Sequence, residues 1–168
     1  MLSAMSVEHQ FVRIRPIREE DRHAVMALAH RLTEGVAEWR DPEAVVEAAR
    51  QWLAGSLASA REQRGAVFVA EADDGVVGVV SVNTQKHFTG TVDAYVGELA
   101  VAPHAARGGV GRQLMAAAET WARRQGVRHL TLETGAANTT ARHFYAALGY
   151  REEAIRLTRT LDEEPGNE

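Results

Sequence analysis

The sequence contains no cysteine, and this absence excludes several kinds of chemistry. A chain without thiols forms no disulfide, builds no thiolate metal site and carries no cysteine nucleophile. Long apolar runs are missing too, and residues 1–10 lack a basic segment followed by an apolar stretch, so neither a membrane span nor a signal peptide is predicted. We therefore expect a cytoplasmic protein with no membrane partner.

An excess of basic charge is also missing. The chain has 19 Lys and Arg against 23 Asp and Glu, which gives a formal net charge of −4 at pH 7. Proteins that bind nucleic acid present a positive surface to its phosphates, so no nucleic-acid partner is expected. The 7 histidines show no paired spacing typical of metal ligands, and no metal is expected either.

The overall composition is that of an ordinary globular protein. Its 168 residues are 45% hydrophobic and 25% charged, which suits one domain with a substantial core. No internal repeat, low-complexity block or linker divides the chain. The sequence therefore predicts a single domain over residues 11–161, between a flexible N-terminus at 1–10 and a flexible tail at 162–168.

Local patterns predict two helices and three strands in the first half of the chain. Asp41 and Pro42 are a typical N-cap and first helical residue, and Asp73-Asp74-Gly75 is a hairpin turn signal. The predicted elements are a strand at 11–15, a helix at 17–32, a helix at 42–63 and a hairpin of strands at 66–72 and 76–84.

The second half is centred on residues 94–125. Alternating apolar residues predict a strand that Pro103 ends, and from about Val110 the apolar spacing becomes helical. A strand–helix–strand crossover requires a parallel pair, whereas hairpins are antiparallel. The fold class is therefore α/β with a mixed, mostly antiparallel central sheet and about four helices. The later elements are a strand at 129–134, a helix at 140–148 and one or two closing strands within 150–161.

Three glycines cluster where the central helix begins: Gly108, Gly109 and Gly111. The first N–H groups of a helix are unpaired and carry partial positive charge, and glycines leave room for an anion to approach them. Arg107 and Arg112 add positive charge beside them. A tight turn that merely needs glycine is the alternative, but three glycines in four positions favour a phosphate cradle.

This stretch resembles motif A of the GNAT superfamily, the acetyl-CoA-dependent N-acetyltransferases. The motif reads V-x-P and then Gln/Arg-x-x-G-x-G, and Val101, Pro103, Gly109 and Gly111 stand at matching positions. The chain departs from it at the Gln/Arg position, which holds Ala106. Backbone N–H groups do most of the phosphate binding in such a loop, so the departure concerns a side-chain contact more than the loop itself.

A second landmark of the family also matches. The pattern N-x-x-A-x-x-x-Y-x-x-x-G-[FY] is similar to the stretch that begins at Asn138, passes Ala141 and Tyr145, and ends at Gly149-Tyr150. The resemblance implies that Asn138 contacts the pantetheine arm of coenzyme A and that Tyr145 is the general acid near the thioester sulfur. The structural alternatives are an N-cap for Asn138 and an aromatic packing role for Tyr145.

Together the two motifs imply a GNAT-like acyl-CoA N-acyltransferase fold over nearly the whole chain, with acetyl-CoA as the acyl donor. The pyrophosphate would bind residues 107–112, and the pantetheine would lie alongside residues 99–101 like an extra strand. The strand at 131–133 would then be splayed away, and Gly97 would mark a local bulge. The implied cofactor-binding residues are Leu99, Ala100, Val101, Arg107, Gly108, Gly109, Val110, Gly111, Arg112, Asn138 and Tyr145.

Glu98 is the second residue with a predicted catalytic role, beside Tyr145. Most amines are protonated at neutral pH, so a base must remove a proton before the nitrogen can attack the thioester, and a carboxylate can do this through a water. The alternative is that Glu98 faces solvent or only binds the substrate ammonium. Because the chain has no cysteine, direct attack in a ternary complex is favoured over a covalent cysteinyl intermediate.

The function expected from these features is transfer of an acetyl group from acetyl-CoA to a primary amine, with a small-molecule acceptor. Acetylation of a protein N-terminus or lysine, and a non-catalytic acyl-CoA-binding module, are the alternatives. In the family the loop at 33–41, which contains Trp39, borders the acceptor site, and we expect the loop at 86–90 to help define it. The resemblance is also compatible with a homodimer.

Overall fold

One five-stranded sheet organises the computed structural model, which describes residues 11–161. The flexible ends expected at 1–10 and 162–168 lie outside the described residues. Antiparallel pairing joins the first four strands, and the fourth and fifth pair in parallel, so the mixed, mostly antiparallel sheet is confirmed. In sheet order the strands are β1 (Arg13–Pro16), β2 (Gly65–Ala72), β3 (Gly75–Lys86), β4 (Val92–Val101) and β5 (Leu130–Leu132).

Four α-helices accompany the sheet within the described residues. They are α1 (Arg22–Ala27), α2 (Pro42–Arg61), α3 (Val110–Arg124) and α4 (Thr139–Ala147). The start of α2 is the predicted one, because the Asp41 carboxylate accepts the N–H groups of Glu43 and Ala44 at 2.8 and 3.0 Å. None of the helices between residues 11 and 161 has the length and apolar character needed to cross a membrane.

The middle of β3 is buried on both faces of the sheet. Residues 77–82 are buried without interruption, and because side chains along a strand alternate between faces, helices must cover both. Leu53 of α2 and Leu114 and Met115 of α3 are fully buried in this core. Within this buried run of β3 only Ser81 is polar, and it lies at the middle of the sheet.

The helix predicted over 17–32 is shorter in the structure. Only α1 is α-helical, and 3-10 turns at Glu19–Asp21 and Leu28–Thr33 flank it. The Asp21 carboxylate accepts the N–H of Arg18 at 2.7 Å, so a side chain satisfies the backbone where an α-helix would otherwise begin. A tertiary contact of this aspartate, described below, holds it in that position.

No strand forms over residues 150–161, so the predicted closing strands are wrong. Ile155 and Leu157 are 79% and 90% exposed, and neither belongs to a strand. One backbone hydrogen bond, from Tyr150 N–H to the Tyr145 carbonyl at 3.0 Å, and three side-chain contacts between acidic and basic groups attach the segment to the rest of the domain. The side-chain contacts are Arg142–Glu152 at 2.5 Å, His87–Glu153 at 3.6 Å and Arg156–Glu133 at 3.9 Å.

A buried ionic cluster joins β1 to β2 and to the turn before α1. The Arg15 guanidinium donates to both carboxylate oxygens of Asp21 at 2.6 and 2.9 Å, and to both of Glu71 at 2.8 and 2.9 Å. Two bidentate pairs on one guanidinium satisfy a charge that is only 6% exposed. The hydrogen bonds from Arg15 hold the pKa of the Asp21 and Glu71 carboxyls below their ordinary values.

We predict that Arg15→Met lowers the free energy of unfolding by about 3 kcal/mol, because it leaves the buried Asp21 carboxylate without its partner. Urea denaturation at pH 7 measures the loss. The exposed Arg13, on the same strand, gives the control variant Arg13→Met, with an expected change below about 0.5 kcal/mol. Equal losses in the two variants would contradict the assigned role of the cluster.

The stability that Asp21 contributes also has a defined pH dependence. Its folded pKa is lowered, so the contribution is complete above the ordinary value of 3.8 and is lost as the pH falls through the folded value. The difference in unfolding free energy between the wild type and Arg15→Met should therefore narrow below about pH 4. A difference that stays constant down to pH 2 would contradict this assignment.

Candidate active site

The loop before α3 presents unpaired backbone N–H groups to solvent. Arg107 and Gly109 have φ angles of +65° and +81°, and the helix begins at Val110 with no side chain capping it. The Gln113 N–H makes the first helical bond, to the carbonyl of Gly109. A Cβ placed on Gly109 would meet no atom within 4 Å, so the space in front of these amides is open. Such a concave set of N–H groups at a helix start suits a phosphate.

Two cations border this loop. Arg107 and Arg112 are exposed, and neither forms an ion pair with any residue of the described range 11–161. Their positive charge is therefore not neutralised by a neighbouring carboxylate. The loop that the sequence predicts as a phosphate cradle therefore has two arginines that no carboxylate pairs with in the described range.

Gly111 has a different role from the other two glycines of the loop. A Cβ at this position would lie 3.2 Å from Cζ of Phe144 and 3.9 Å from Cγ2 of Val101. Glycine therefore lets α4 pack closely against the start of α3, next to the end of β4. This contact brings three elements of the site together, and Phe144 is a residue that the sequence analysis did not single out.

The parallel pairing of β4 with β5 ends early. The register joins Ala94 with Leu130, Tyr95 with Thr131 and Val96 with Leu132, and no pair follows. The strand β4 itself continues to Val101. Beyond Val96 its edge therefore faces a gap, which is the splay expected at this position.

The ladder with β3 determines which groups point into that gap. Ala102 N–H donates to the Val77 carbonyl at 2.8 Å, and hydrogen-bonded pairs alternate with non-bonded pairs along an antiparallel ladder. Leu99 and Val101 occupy the non-bonded positions of this register, so their N–H and C=O groups point away from β3. An extended chain in the gap could therefore form hydrogen bonds with these groups, as a neighbouring strand would.

A β-bulge interrupts β4 just before this free edge. Leu99 pairs with Val80, but Val96 pairs with Val82, so two residues of β4, Gly97 and Glu98, stand opposite the single residue Ser81. The bulge expected at Gly97 is confirmed. Glu98 lies within this bulge and is buried, whereas Gly97 is exposed.

Glu98 is only 6% exposed, so the alternative in which it faces solvent is wrong. Ser81 Oγ donates to the Glu98 carboxylate, and the Glu98 N–H donates to the same Oγ at 2.9 Å. Within residues 11–161 no cationic side chain pairs with this carboxylate. A buried carboxylate with no counter-ion is a position where a substrate cation can be bound or deprotonated.

Tyr145 is half-buried on α4. Its ring contacts those of Phe144 and Tyr150, with centroids 5.2 and 5.8 Å apart, so it has a packing role. No hydrogen bond joins its hydroxyl to another residue between 11 and 161. Burial raises the pKa of Tyr145 to about 12, so the hydroxyl remains protonated at neutral pH and can donate a proton. No hydrogen bond within the same range joins it to Glu98.

Asn138 caps α4, as the structural alternative held. Its Oδ1 accepts the N–H of Ala141 at 3.0 Å, and its Nδ2 donates to the carbonyl of Glu34 at 3.3 Å. The backbones also touch here, because a Cβ on Gly135 would collide with the Gly35 carbonyl. The asparagine expected on the pantetheine side therefore also holds the loop that precedes α2.

Arg31 is a further residue at the site that the sequence analysis missed. Its Nε donates to the Val101 carbonyl at 2.9 Å, and its guanidinium is paired with Glu34. Arg31 therefore occupies the Val101 carbonyl, which is one of the backbone groups that point from β4 into the gap. No local pattern around Arg31 indicates this contact, which joins residues 70 positions apart.

Comparison with known proteins decides the family. A model of the acetyltransferase (GNAT) family matches residues 22–150. The chain belongs to the GNAT family. It is an acetyl-CoA-dependent N-acetyltransferase, with acetyl-CoA as the acyl donor. This GNAT protein is 34% identical over 119 residues to the aminoglycoside N(6′)-acetyltransferase type 1 of Stenotrophomonas maltophilia. The aligned part covers 68% of this chain and 73% of that enzyme.

Solved structures share the GNAT fold. AAC(6′)-Iy in complex with the bisubstrate analogue CoA-S-monomethyl-acetylneamine superposes with a TM-score of 0.64 and 22% identity, over 89% of this chain and 98% of that chain. The aminoglycoside 6′-N-acetyltransferase AAC(6′)-IG of Acinetobacter haemolyticus superposes with a TM-score of 0.66 and 20% identity, over 89% and 99%. At these identities the likeness concerns the fold, and the expected GNAT fold is confirmed.

We predict that Gly109→Leu weakens coenzyme A binding at least tenfold, because its side chain would fill the open space in front of the α3 amides. Titration calorimetry with coenzyme A measures the affinity. Gly126→Leu is the matched control, since Gly126 has a similar φ of +73° and equally open surroundings at the other end of α3. Unchanged affinity in Gly109→Leu, or an equal loss in both variants, would refute the cradle.

Proposed function

We propose that this GNAT enzyme transfers the acetyl group of acetyl-CoA to a primary amine of a small molecule, by direct attack while both substrates are bound. The observation that carries the proposal is the free edge of β4 beyond Val96, which lies between the open amides of α3 and the buried Glu98. Donor and acceptor groups can meet along this edge without a covalent enzyme intermediate. The absence of cysteine from the chain agrees with this order of events.

When bound, acetyl-CoA supplies an acetyl thioester activated for attack by an amine. The backbone N–H groups over 108–112, with Arg107, would hold its pyrophosphate. The N–H and C=O groups of Leu99 and Val101 would bind the pantetheine amides as a neighbouring strand does, with Ala100 between them. Arg31 would then give up its bond to the Val101 carbonyl. These are the residues assigned to the cofactor by the family resemblance, and their free donors support the assignment.

Glu98 and Tyr145 would move the protons of the reaction. The Glu98 carboxylate accepts a proton from the acceptor ammonium, directly or through a water, which frees the nitrogen lone pair for attack. The Tyr145 hydroxyl, which burial keeps protonated at neutral pH, donates a proton to the sulfur that leaves. The two residues lie on different elements, Glu98 on β4 and Tyr145 on α4.

The acceptor side is supported by charge and by the printed names of relatives. Aminoglycosides, the acceptors named for the relatives, carry several amines, and a net charge of −4 favours a cationic acceptor over an anionic one. The loop at 33–41 exposes Trp39, and the loop after β3 exposes Phe88. Exposed aromatic rings can stack on the apolar faces of a sugar, which supports an amino-sugar acceptor.

We predict that Tyr145→Phe lowers kcat about 100-fold and leaves the affinity for coenzyme A within twofold, because only the proton donor is removed. Free-thiol release measures the rate, and calorimetry measures the affinity. Tyr150→Phe, whose ring packs against Tyr145 at 5.8 Å, is the control and should keep its rate. A wild-type kcat in Tyr145→Phe would show that Tyr145 only packs.

A panel of acceptors tests the proposed substrate class. Purified protein is incubated with acetyl-CoA and, separately, an aminoglycoside, an amino sugar, a simple alkylamine and a lysine peptide. We expect thiol release with the amino sugars, and intersecting initial-velocity lines as a ternary complex requires. Turnover of the peptide alone would instead support a protein acceptor, and parallel lines would contradict direct attack.

We also propose a homodimer. Its support is the extended segment 151–161, where Ile155, Leu157 and Leu161 are 79%, 90% and 78% exposed. Scattered exposed apolar residues are normal, but three in one segment favour cover by another copy. Light scattering should give twice the monomer mass of 18.4 kDa, and a mass of one chain would refute the dimer.

A further inference from the structure

We propose that Ser81 positions the Glu98 carboxylate for catalysis, and that residue 97 is glycine so that the serine hydroxyl can occupy its place. The proposal rests on the proposed role of Glu98 as the base. It assigns to β3 a positioning residue for the reaction, although β3 contributes no group to the cradle or to the free edge of β4.

The contacts of Ser81 are the first support. Its side chain is 3% exposed, and its hydroxyl donates to the Glu98 carboxylate while accepting the Glu98 backbone N–H at 2.9 Å. One hydroxyl therefore bonds both ends of the same residue. This arrangement holds the flexible glutamate side chain in one conformation before substrate binds. Without it, the conformational entropy of the side chain would be lost during substrate binding.

The bulge explains how a residue of the neighbouring strand reaches both groups. Gly97 and Glu98 together stand opposite Ser81, so no ladder partner competes for the Glu98 N–H. The Ser81 side chain supplies the acceptor that the interrupted ladder does not. A valine in its place, as at the neighbouring positions 80 and 82, would leave that N–H and the carboxylate buried and unpaired.

Gly97 is the second support. Its φ is not in the left-handed region, so the backbone alone does not require glycine. A Cβ at this position would lie 2.8 Å from Ser81 Oγ and 3.4 Å from Ser56 Oγ. The closer contact is too short, so alanine at position 97 would push the Ser81 hydroxyl away from Glu98. The Ser81 hydroxyl can therefore keep its position only because residue 97 has no side chain.

The first experiment compares hydroxyl deletions. Ser81→Ala should lower kcat about tenfold, with KM for acetyl-CoA and the coenzyme A affinity within twofold, because the cradle is untouched. Ser81→Thr keeps the hydroxyl and should restore at least half of kcat. Ser56→Ala removes the other hydroxyl near Gly97, one that forms no bond with Glu98, and should keep the wild-type kcat. Thermal melting monitors folding of each variant.

A double-mutant cycle tests the link with Gly97. Gly97→Ala should lower kcat as much as Ser81→Ala does, because both remove the same bond. The double variant should then be no slower than either single variant. In it the Ser81 hydroxyl is already absent, so the methyl group introduced at position 97 displaces nothing. Losses that multiply in the double variant would show that the two positions act independently and would overturn the proposal.

Glu98→Gln separates this inference from the role of Glu98. If Glu98→Gln keeps the wild-type kcat, Glu98 is not the base, and both the proposed role and the positioning by Ser81 fail. If Glu98→Gln is slow but Ser81→Ala and Gly97→Ala are both as fast as wild type, Glu98 acts without Ser81 and only this inference fails. If Ser81→Ala does not fold, Gly97→Ala and Ser81→Thr decide by the same criteria.

Discussion

Backbone groups of β4 lose their partner strand after Val96, because β5 pairs with β4 over only three positions. A strand edge left unpaired inside a domain is unfavourable unless something binds it, since each buried N–H and C=O needs a hydrogen-bond partner. Here the free edge runs directly into Pro103 and the loop that exposes the α3 amides. One discontinuity of the sheet therefore leaves an unpaired edge next to an uncapped helix start, where the proposed function places the pantetheine and the pyrophosphate.

Two buried carboxylates illustrate how the domain separates stability from chemistry. Asp21 is surrounded by donors: a bidentate guanidinium from Arg15 and the N–H of Arg18. Its charge is fully compensated, which makes it a structural anchor. Glu98 has a comparable exposure but only the Ser81 hydroxyl as a donor. The Glu98 carboxylate can therefore still pair with a cation, such as the ammonium group of an amine acceptor.

The loop before α2 is held at two places. Asn138 caps α4 while holding the Glu34 carbonyl, and Arg31 binds both Glu34 and the carbonyl of Val101. The loop before α2 is therefore attached to the free edge of β4 and to the start of α4. The Val101 carbonyl and this loop are therefore linked through the contacts of Arg31 and Glu34.

Local patterns in the sequence determined the helix starts at Pro42 and Val110, the hairpin, the glycine loop before α3 and the motif around Tyr145, because each depends on residues close together in the chain. Tertiary structure alone decided the rest. The partners of Ser81 and Arg31 lie 17 and 70 positions away, and the closing strands predicted within 150–161 do not form. Periodicity records which side chains could share a face, whereas packing decides whether a partner is there to meet them.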